Sequence, residues 1–129
     1  MIHVVDIHPI IWYLEDSPRL GKAARTILDD PGALLIVPTI VLAEMRYLTA
    51  LRRVATPWNE VLTAITSDPR FLMKDLDAEI VLTLSTELEM HDAIICATAQ
   101  YYRDVLKEDV RVLTADRRIR SSGLIETVW

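Results

Sequence analysis

At 129 residues, 51% of them hydrophobic and only three of them glycine, the chain is long enough for one core and excludes global disorder. Its net charge of −5 at pH 7 argues at first against a nucleic-acid partner, because phosphates attract positive charge. No apolar run approaches the roughly 18 residues of a membrane span, and the lone Cys96 excludes an intrachain disulfide and suits a reducing cytoplasm.

The first half of the chain alternates buried strands with helices. The apolar runs are continuous and rich in β-branched residues, which predicts strands covered on both faces. Pro9, Pro18 and Pro57 each suit a first helical turn, the last two after a hydroxyl cap. In order, we predict a strand over 2–6, helices over 9–14 and 17–28, a strand over 34–37 and helices over about 40–53 and 56–66.

The second half continues this alternation. We predict a short strand over 71–74, a helix over 78–87 capped by Asp77, a helix over about 91–105, a strand over 110–114 and a last strand over 124–128. Strands separated by helices indicate crossover connections and a parallel sheet. We therefore expect one domain over residues 1–129 of the α/β class, with no signal peptide before it.

Four carboxylates stand in apolar surroundings, namely Asp6, Glu44, Asp92 and Asp116. Ligands bind beyond the carboxyl ends of parallel strands, which is where Asp6 and Asp116 are predicted to lie. Glu44 shares a helical face with Val41, so it points toward the sheet. Carboxylate oxygens of this kind suit Mg²⁺ or Mn²⁺, which could activate water and cut a phosphodiester. The histidines and the cysteine lack the spacing of a zinc site.

Each acid also has a structural interpretation. Asp92 could be a helix cap or a first-turn acid, and Asp116 could open a turn. Glu44 could pair with Arg52 or with a distant arginine. Bound cations would neutralise the four acids, and the remaining 15 acids and 14 bases then leave a net charge of only −1, from 19 acids and 14 bases in the whole chain. The charge therefore does not exclude nucleic acid.

The four acids lie in segments that resemble, in order, the motifs of the PIN-domain ribonucleases, and specifically of VapC-like toxins. These segments are Val4 to His8 with Ile11 to Leu14, then Pro38 to Glu44, Met90 to Ala99, and Val112 to Ile119. The resemblance spans nearly the whole chain. It implies a three-layer α/β/α sandwich around a mostly parallel sheet of about five strands, commonly as a homodimer, and a small antitoxin as partner.

By the same resemblance, the four acids hold the metal and Thr114 supports a ligand or orients water beside them. Two departures stand against this. Ile7 occupies a position where the family usually has a small hydroxyl residue, and no further acid closely follows Asp116 to hold a second metal. His8 and His91 each neighbour a proposed ligand, where they could exchange protons or simply be exposed.

These observations favour the first of three candidate functions. The first is a Mg²⁺- or Mn²⁺-dependent endoribonuclease, the toxin of a toxin–antitoxin pair, with the basic cluster Arg117, Arg118 and Arg120 contacting phosphate or forming a solvated face. The second is a PIN-like module that binds RNA or protein without cutting. The third, a phospho-acceptor receiver domain, predicts a lysine after the last core strand, where only arginines stand.

Overall fold

A computed structural model describes residues 1–129 as an α/β fold built on one sheet. The strands are β1 (Ile2–Val5), β2 (Leu34–Pro38), β3 (Phe71–Lys74), β4 (Val110–Leu113) and β5 (Thr127–Val128). The helices are α1 (Ile7–Leu14), α2 (Lys22–Asp29), α3 (Thr39–Ala50), α4 (Trp58–Ser67), α5 (Ala78–Leu82), α6 (Met90–Asp104) and α7 (Arg117–Ser121).

All four strand pairings are parallel, and the order across the sheet is β3-β2-β1-β4-β5. Successive side chains of a strand face opposite sides of the sheet, and every residue of β1 is buried, so both faces are covered. The predicted α/β/α arrangement with a mostly parallel sheet of about five strands is confirmed. None of the helices, the longest of which has 15 residues, is both long and apolar enough to cross a membrane.

The predicted start of the second helix is wrong. Ser17 and Pro18 form a turn, in which the Ser17 hydroxyl accepts a hydrogen bond from the Arg19 amide at 3.2 Å, and α2 begins only at Lys22. The turn brings Leu20 into the core and seats Gly21 against Trp129, where an added Cβ would come within 2.8 Å of the Trp129 carbonyl carbon. Tertiary packing therefore overrides the local cap signal.

Other elements also differ from the predictions, and the helix predicted over about 40–53 ends at Ala50. The helix that begins at Ala78 ends at Leu82, because Thr83 turns its hydroxyl back onto the Ile80 carbonyl at 3.0 Å. The last strand is only Thr127–Val128. A short helix, α7, follows Asp116 and was not predicted; it buries only one residue, Ile119, so it has almost no apolar pattern.

Candidate active site

The topology of the sheet brings two of the four acids to one point. The chain passes from β1 through β2 to β3 on one side and then returns to β4 on the other side of β1. Adjacent strands whose connections diverge in this way leave a crevice beyond their carboxyl ends. Asp6 directly follows β1, and Thr114 and Asp116 follow β4. The Asp6 amide donates to the Leu113 carbonyl at 3.1 Å, which joins the two strand ends.

Asp6 is a buried carboxylate that is held by two hydrogen bonds. Its Oδ1 accepts from the Ile7 amide at 2.7 Å as the cap of α1, and its Oδ2 accepts from the Thr114 hydroxyl at 2.6 Å. Burial raises the pKa of Asp6 above its usual range, and these hydrogen bonds oppose that rise. The hydrogen bonds therefore fix the position of the Asp6 carboxylate, while burial destabilises its ionised form.

Thr114 connects Asp6 to Asp116. The Thr114 side chain is fully buried, and its oxygen accepts from the Asp116 amide at 3.0 Å while its hydroxyl donates to Asp6. Asp116 in turn caps α7, with Oδ1 accepting from the Arg118 amide at 2.7 Å. Asp116 is thus a helix cap, and Thr114 links it to Asp6. The Asp116 charge also raises the pKa of Asp6 and of Asp92.

Glu44 lies in α3, which leaves the carboxyl end of β2. Its neighbours Val41 and Met45 are buried, and the Glu44 side chain itself is partly exposed. Its Oε1 lies 3.5 Å from His91 Nδ1, and no arginine pairs with it. Burial is the main cause that raises the pKa of Glu44, and the Asp6 charge adds to the rise. Glu44 was predicted to point toward the sheet; it lines the cavity at the edge of the sheet and stays partly exposed.

Asp92 lies in the first turn of α6. A crossover helix between parallel strands runs antiparallel to them, so the first turn of α6 lies at the carboxyl edge of the sheet. Asp92 Oδ2 is buried without any hydrogen-bond partner. Burial, followed by the charges of Asp116 and Asp6, raises the pKa of Asp92 to about 6. A helix cap would have its oxygen on a backbone amide, so the unpaired oxygen points to another role.

Three of the four acids line one small cavity. Asp6, Glu44 and Asp92 share it with His91 and three apolar side chains, and its volume of about 20 Å³ is room for one water-sized particle. As the side chains stand, no group of three His, Cys, Asp or Glu residues is close enough together to hold one ion. The donor chemistry, the unpaired Asp92 oxygen and the mutually raised pKa values nevertheless fit a hard divalent cation such as Mg²⁺ or Mn²⁺.

Glu89 lies near the site although the sequence did not indicate it, and Arg118 was expected there only as a contact for phosphate. Glu89 occupies the N-cap position of α6, and its charge raises the pKa of Asp92. Arg118 lies 3.4 Å from Glu89 and 3.8 Å from Asp116, and it opposes the rise in the pKa of Asp92. A fifth carboxylate is therefore present near the acids, at the start of α6 rather than after Asp116. Only the spacing Glu89 to Asp92, one helical turn, could have indicated it.

The comparisons with known proteins agree with this architecture. A family model described as PIN domain matches residues 3–123. A chain of VapBC2 from Rickettsia felis, bound to a DNA fragment from their promoter, superposes with a TM-score of 0.67 at 14% identity, covering 99% of this chain and 98% of that one. A chain of VapBC-1 from nontypeable Haemophilus influenzae gives a TM-score of 0.67 at 15% identity, covering 99% and 97%. Among curated proteins, none matches the sequence.

Proposed function

This chain belongs to the PIN domain family, and we propose that it is a Mg²⁺- or Mn²⁺-dependent endoribonuclease that hydrolyses RNA phosphodiesters. We propose further that residues 1–129 act as a single nuclease domain, the toxin of a type II toxin–antitoxin pair. It would work in the cytoplasm as a homodimer, and a small antitoxin would neutralise it. The similarity of its fold to chains of two VapBC assemblies supports this second part.

The observation that carries the nuclease proposal is the unsatisfied charge of the cavity. Asp92 Oδ2 is buried without a partner beside Asp6 and Glu44, and all three pKa values are raised. Carboxylates that repel one another in a small cavity are stabilised by a cation. A divalent ion, when bound, would offset the charge of a phosphodiester and activate water for its hydrolysis.

The chain's own residues would prepare the site for this reaction. Thr114 and the Ile7 amide hold Asp6 in one orientation, so its position does not depend on the ligand. His91 Nδ1 lies 3.5 Å from Glu44 Oε1 at the same cavity. Ile40, Val41 and Ile95 form apolar walls of the cavity, which lower the local polarity and strengthen the interactions of charges inside it. Arg118, held by Glu89 and Asp116, is a cation at the rim that can approach a phosphate.

Cleavage with matched variants tests this proposal. We expect wild-type protein to cut RNA only when Mg²⁺ or Mn²⁺ is present, and Asp92→Asn to lose nearly all activity. Asp75→Asn removes the same charge from an exposed position that has no ion pair, and it should cut like wild type. End-mapping of the RNA after brief expression would identify the cut site. Equal cleavage by wild type and Asp92→Asn would overturn the assignment of the acids.

A second function, a PIN-like module that binds RNA or protein without cutting, is favoured by one observation. The acids do not converge on one ion as their side chains stand, and the cavity is small. Titration calorimetry with Mn²⁺ separates the two functions, because a protein that takes up no divalent cation cannot run the proposed chemistry. Binding that is lost in Asp92→Asn but kept in Asp75→Asn would favour the nuclease.

A further inference from the structure

An open cleft lies between α7, the helix that Asp116 caps, and β5. It is lined by four polar residues and no apolar one, namely Arg117, Arg120, Ser121 and Thr127, and its volume is about 520 Å³. Pockets that bind apolar ligands or stack nucleobases are walled by hydrophobic and aromatic side chains. This cleft has neither, so its chemistry suits a hydrophilic anion.

The helical phase of α7 divides its three arginines between two surfaces. Arg117, Arg120 and Ser121 are three and four residues apart, so they share one face of the helix, and that face lines the cleft. Arg118 points elsewhere, toward Glu89 and Asp116 at the acid site. The basic run in the sequence is therefore divided between two surfaces: Arg118 lies at the acid site, and Arg117 and Arg120 lie at the cleft.

The two arginines of the cleft are free of protein partners. Neither Arg117 nor Arg120 forms an ion pair, and neither guanidinium makes a hydrogen bond. The acid nearest to them in sequence beyond α7, Glu126, is held by Arg111 at 3.1 Å. The Ser121 hydroxyl already donates to the Arg117 carbonyl at 2.7 Å, so it is less available as a donor to a ligand in the cleft. Two guanidinium groups and the Thr127 hydroxyl remain as donors.

We propose that Arg117 and Arg120, assisted by Thr127, bind a backbone phosphate of single-stranded RNA that flanks the scissile phosphodiester. The inference rests on the proposed nuclease function. The cleft and the acid site are connected through α7, since Asp116 caps this helix and its outer face lines the cleft. One strand can therefore pass from the acids to the cleft across a helix of five residues. Guanidinium groups match the geometry of phosphate oxygens, and a contact of this kind reads no base.

Salt dependence of binding tests the proposal without cleavage. The affinity of the full chain carrying Asp92→Asn for a labelled single-stranded RNA is measured in EDTA over a range of KCl concentrations. Adding Arg117→Gln and Arg120→Gln should weaken binding by roughly tenfold at low salt and reduce the slope of log affinity against log salt by about 0.7, the contribution of one phosphate contact in a single strand. The control carries Arg52→Gln and Lys107→Gln, which remove two exposed charges that have no ion pair.

The outcomes separate the cleft from the nuclease. A reduced slope in the α7 variant but not in the control supports the cleft, even if wild-type protein never cuts RNA. Equal slopes in both variants overturn it, even if wild-type protein cuts RNA with Mn²⁺. An equal loss of binding to duplex DNA would overturn the assignment to single-stranded RNA. Because both arginines are exposed, unchanged thermal unfolding of the variants is expected and confirms that they fold.

Discussion

Replacing Thr114 by valine should separate the structural and electrostatic roles of its hydroxyl. Valine has nearly the same shape, so the substitution removes the donor to Asp6 Oδ2 at 2.6 Å and the acceptor of the Asp116 amide at 3.0 Å, but it leaves no large cavity. A hydrogen bond to a charged group contributes about 1.5–3 kcal/mol. We therefore expect Thr114→Val to lower the free energy of unfolding at pH 8 by about 2 kcal/mol, or roughly 5–10 °C in the melting temperature.

The loss should depend on pH in a defined direction. The Thr114 hydroxyl stabilises the ionised form of Asp6, whose pKa burial already raises, so its removal raises that pKa further in the folded state. The penalty is therefore largest at high pH and shrinks as the pH falls through the raised pKa of Asp6 in the variant. A hydrogen bond to the protonated carboxyl of Asp6 is a neutral one and contributes about 0.5–1.5 kcal/mol. About 1 kcal/mol of the loss in unfolding free energy should therefore remain at low pH.

Thr98 provides a matched control. It is also almost fully buried, but its hydroxyl donates to the Ile94 carbonyl of its own helix at 2.7 Å and contacts no carboxylate. Urea denaturation in EDTA between pH 4 and 8 would compare Thr98→Val, Thr114→Val and Thr114→Ser, the last of which keeps the hydroxyl. A loss for Thr114→Val that does not vary with pH, or that equals the loss for Thr98→Val, would refute the electrostatic role.

Three further predictions concern the metal-free protein. Asp92→Asn should raise the free energy of unfolding at pH 7 by about 1 kcal/mol, because a pKa of about 6 against the ordinary 3.8 corresponds to about 3 kcal/mol before solvent screening. The ionised Asp92 should make wild type lose stability as the pH rises from about 4 to 6, and an equal loss in Asp92→Asn would contradict this. Cys96, whose pKa burial raises to about 12, should react with iodoacetamide at pH 8 only once urea unfolds the chain, and rapid native labelling would contradict its burial. Gly21→Ala should cost about 1–3 kcal/mol in thermal unfolding, because its Cβ would lie 2.8 Å from the Trp129 carbonyl carbon, whereas Gly32→Ala, with 3.4 Å to its nearest atom, should be close to neutral.

The parts of the fold that the sequence predicted well are those with a strong apolar pattern. β1 and β2 are mostly apolar runs that end at a turn signal, and both lie in the interior of the sheet with nearly all of their side chains buried. The placement of Asp6 followed from the end of β1. The placement of Asp116 followed from the end of β4 in the same way, because parallel strands meet at one edge.

The parts that could not be predicted depend on contacts distant in sequence. The late start of α2 depends on Gly21 packing against Trp129, a contact between residues more than 100 positions apart. The helix α7 has five residues and only Ile119 buried, so it carries no periodic signal. The hydrogen bond from Thr114 to Asp6 also spans most of the chain. Family resemblance indicated that Thr114 lies beside the site, but only the structure identifies its partner.

The direction of the pKa shifts distinguishes three of the site acids, Asp6, Glu44 and Asp92, from the structural ones. Asp68, Asp77 and Asp104 are paired with Arg70, Lys74 and Arg103, and these partners lower their pKa values. A structural cap or ion pair, the alternative interpretation of the site acids, implies the same lowering.

Asp6, Glu44 and Asp92 show the opposite direction, because burial and neighbouring carboxylates outweigh every partner they have. A fold gains no stability from charges arranged in this way. A cation that joined them would make their arrangement favourable, and its binding to the folded state alone would then return stability in proportion to the logarithm of the cation concentration. The raised pKa values therefore favour a ligand-binding role for these acids over the structural interpretations that the sequence left open.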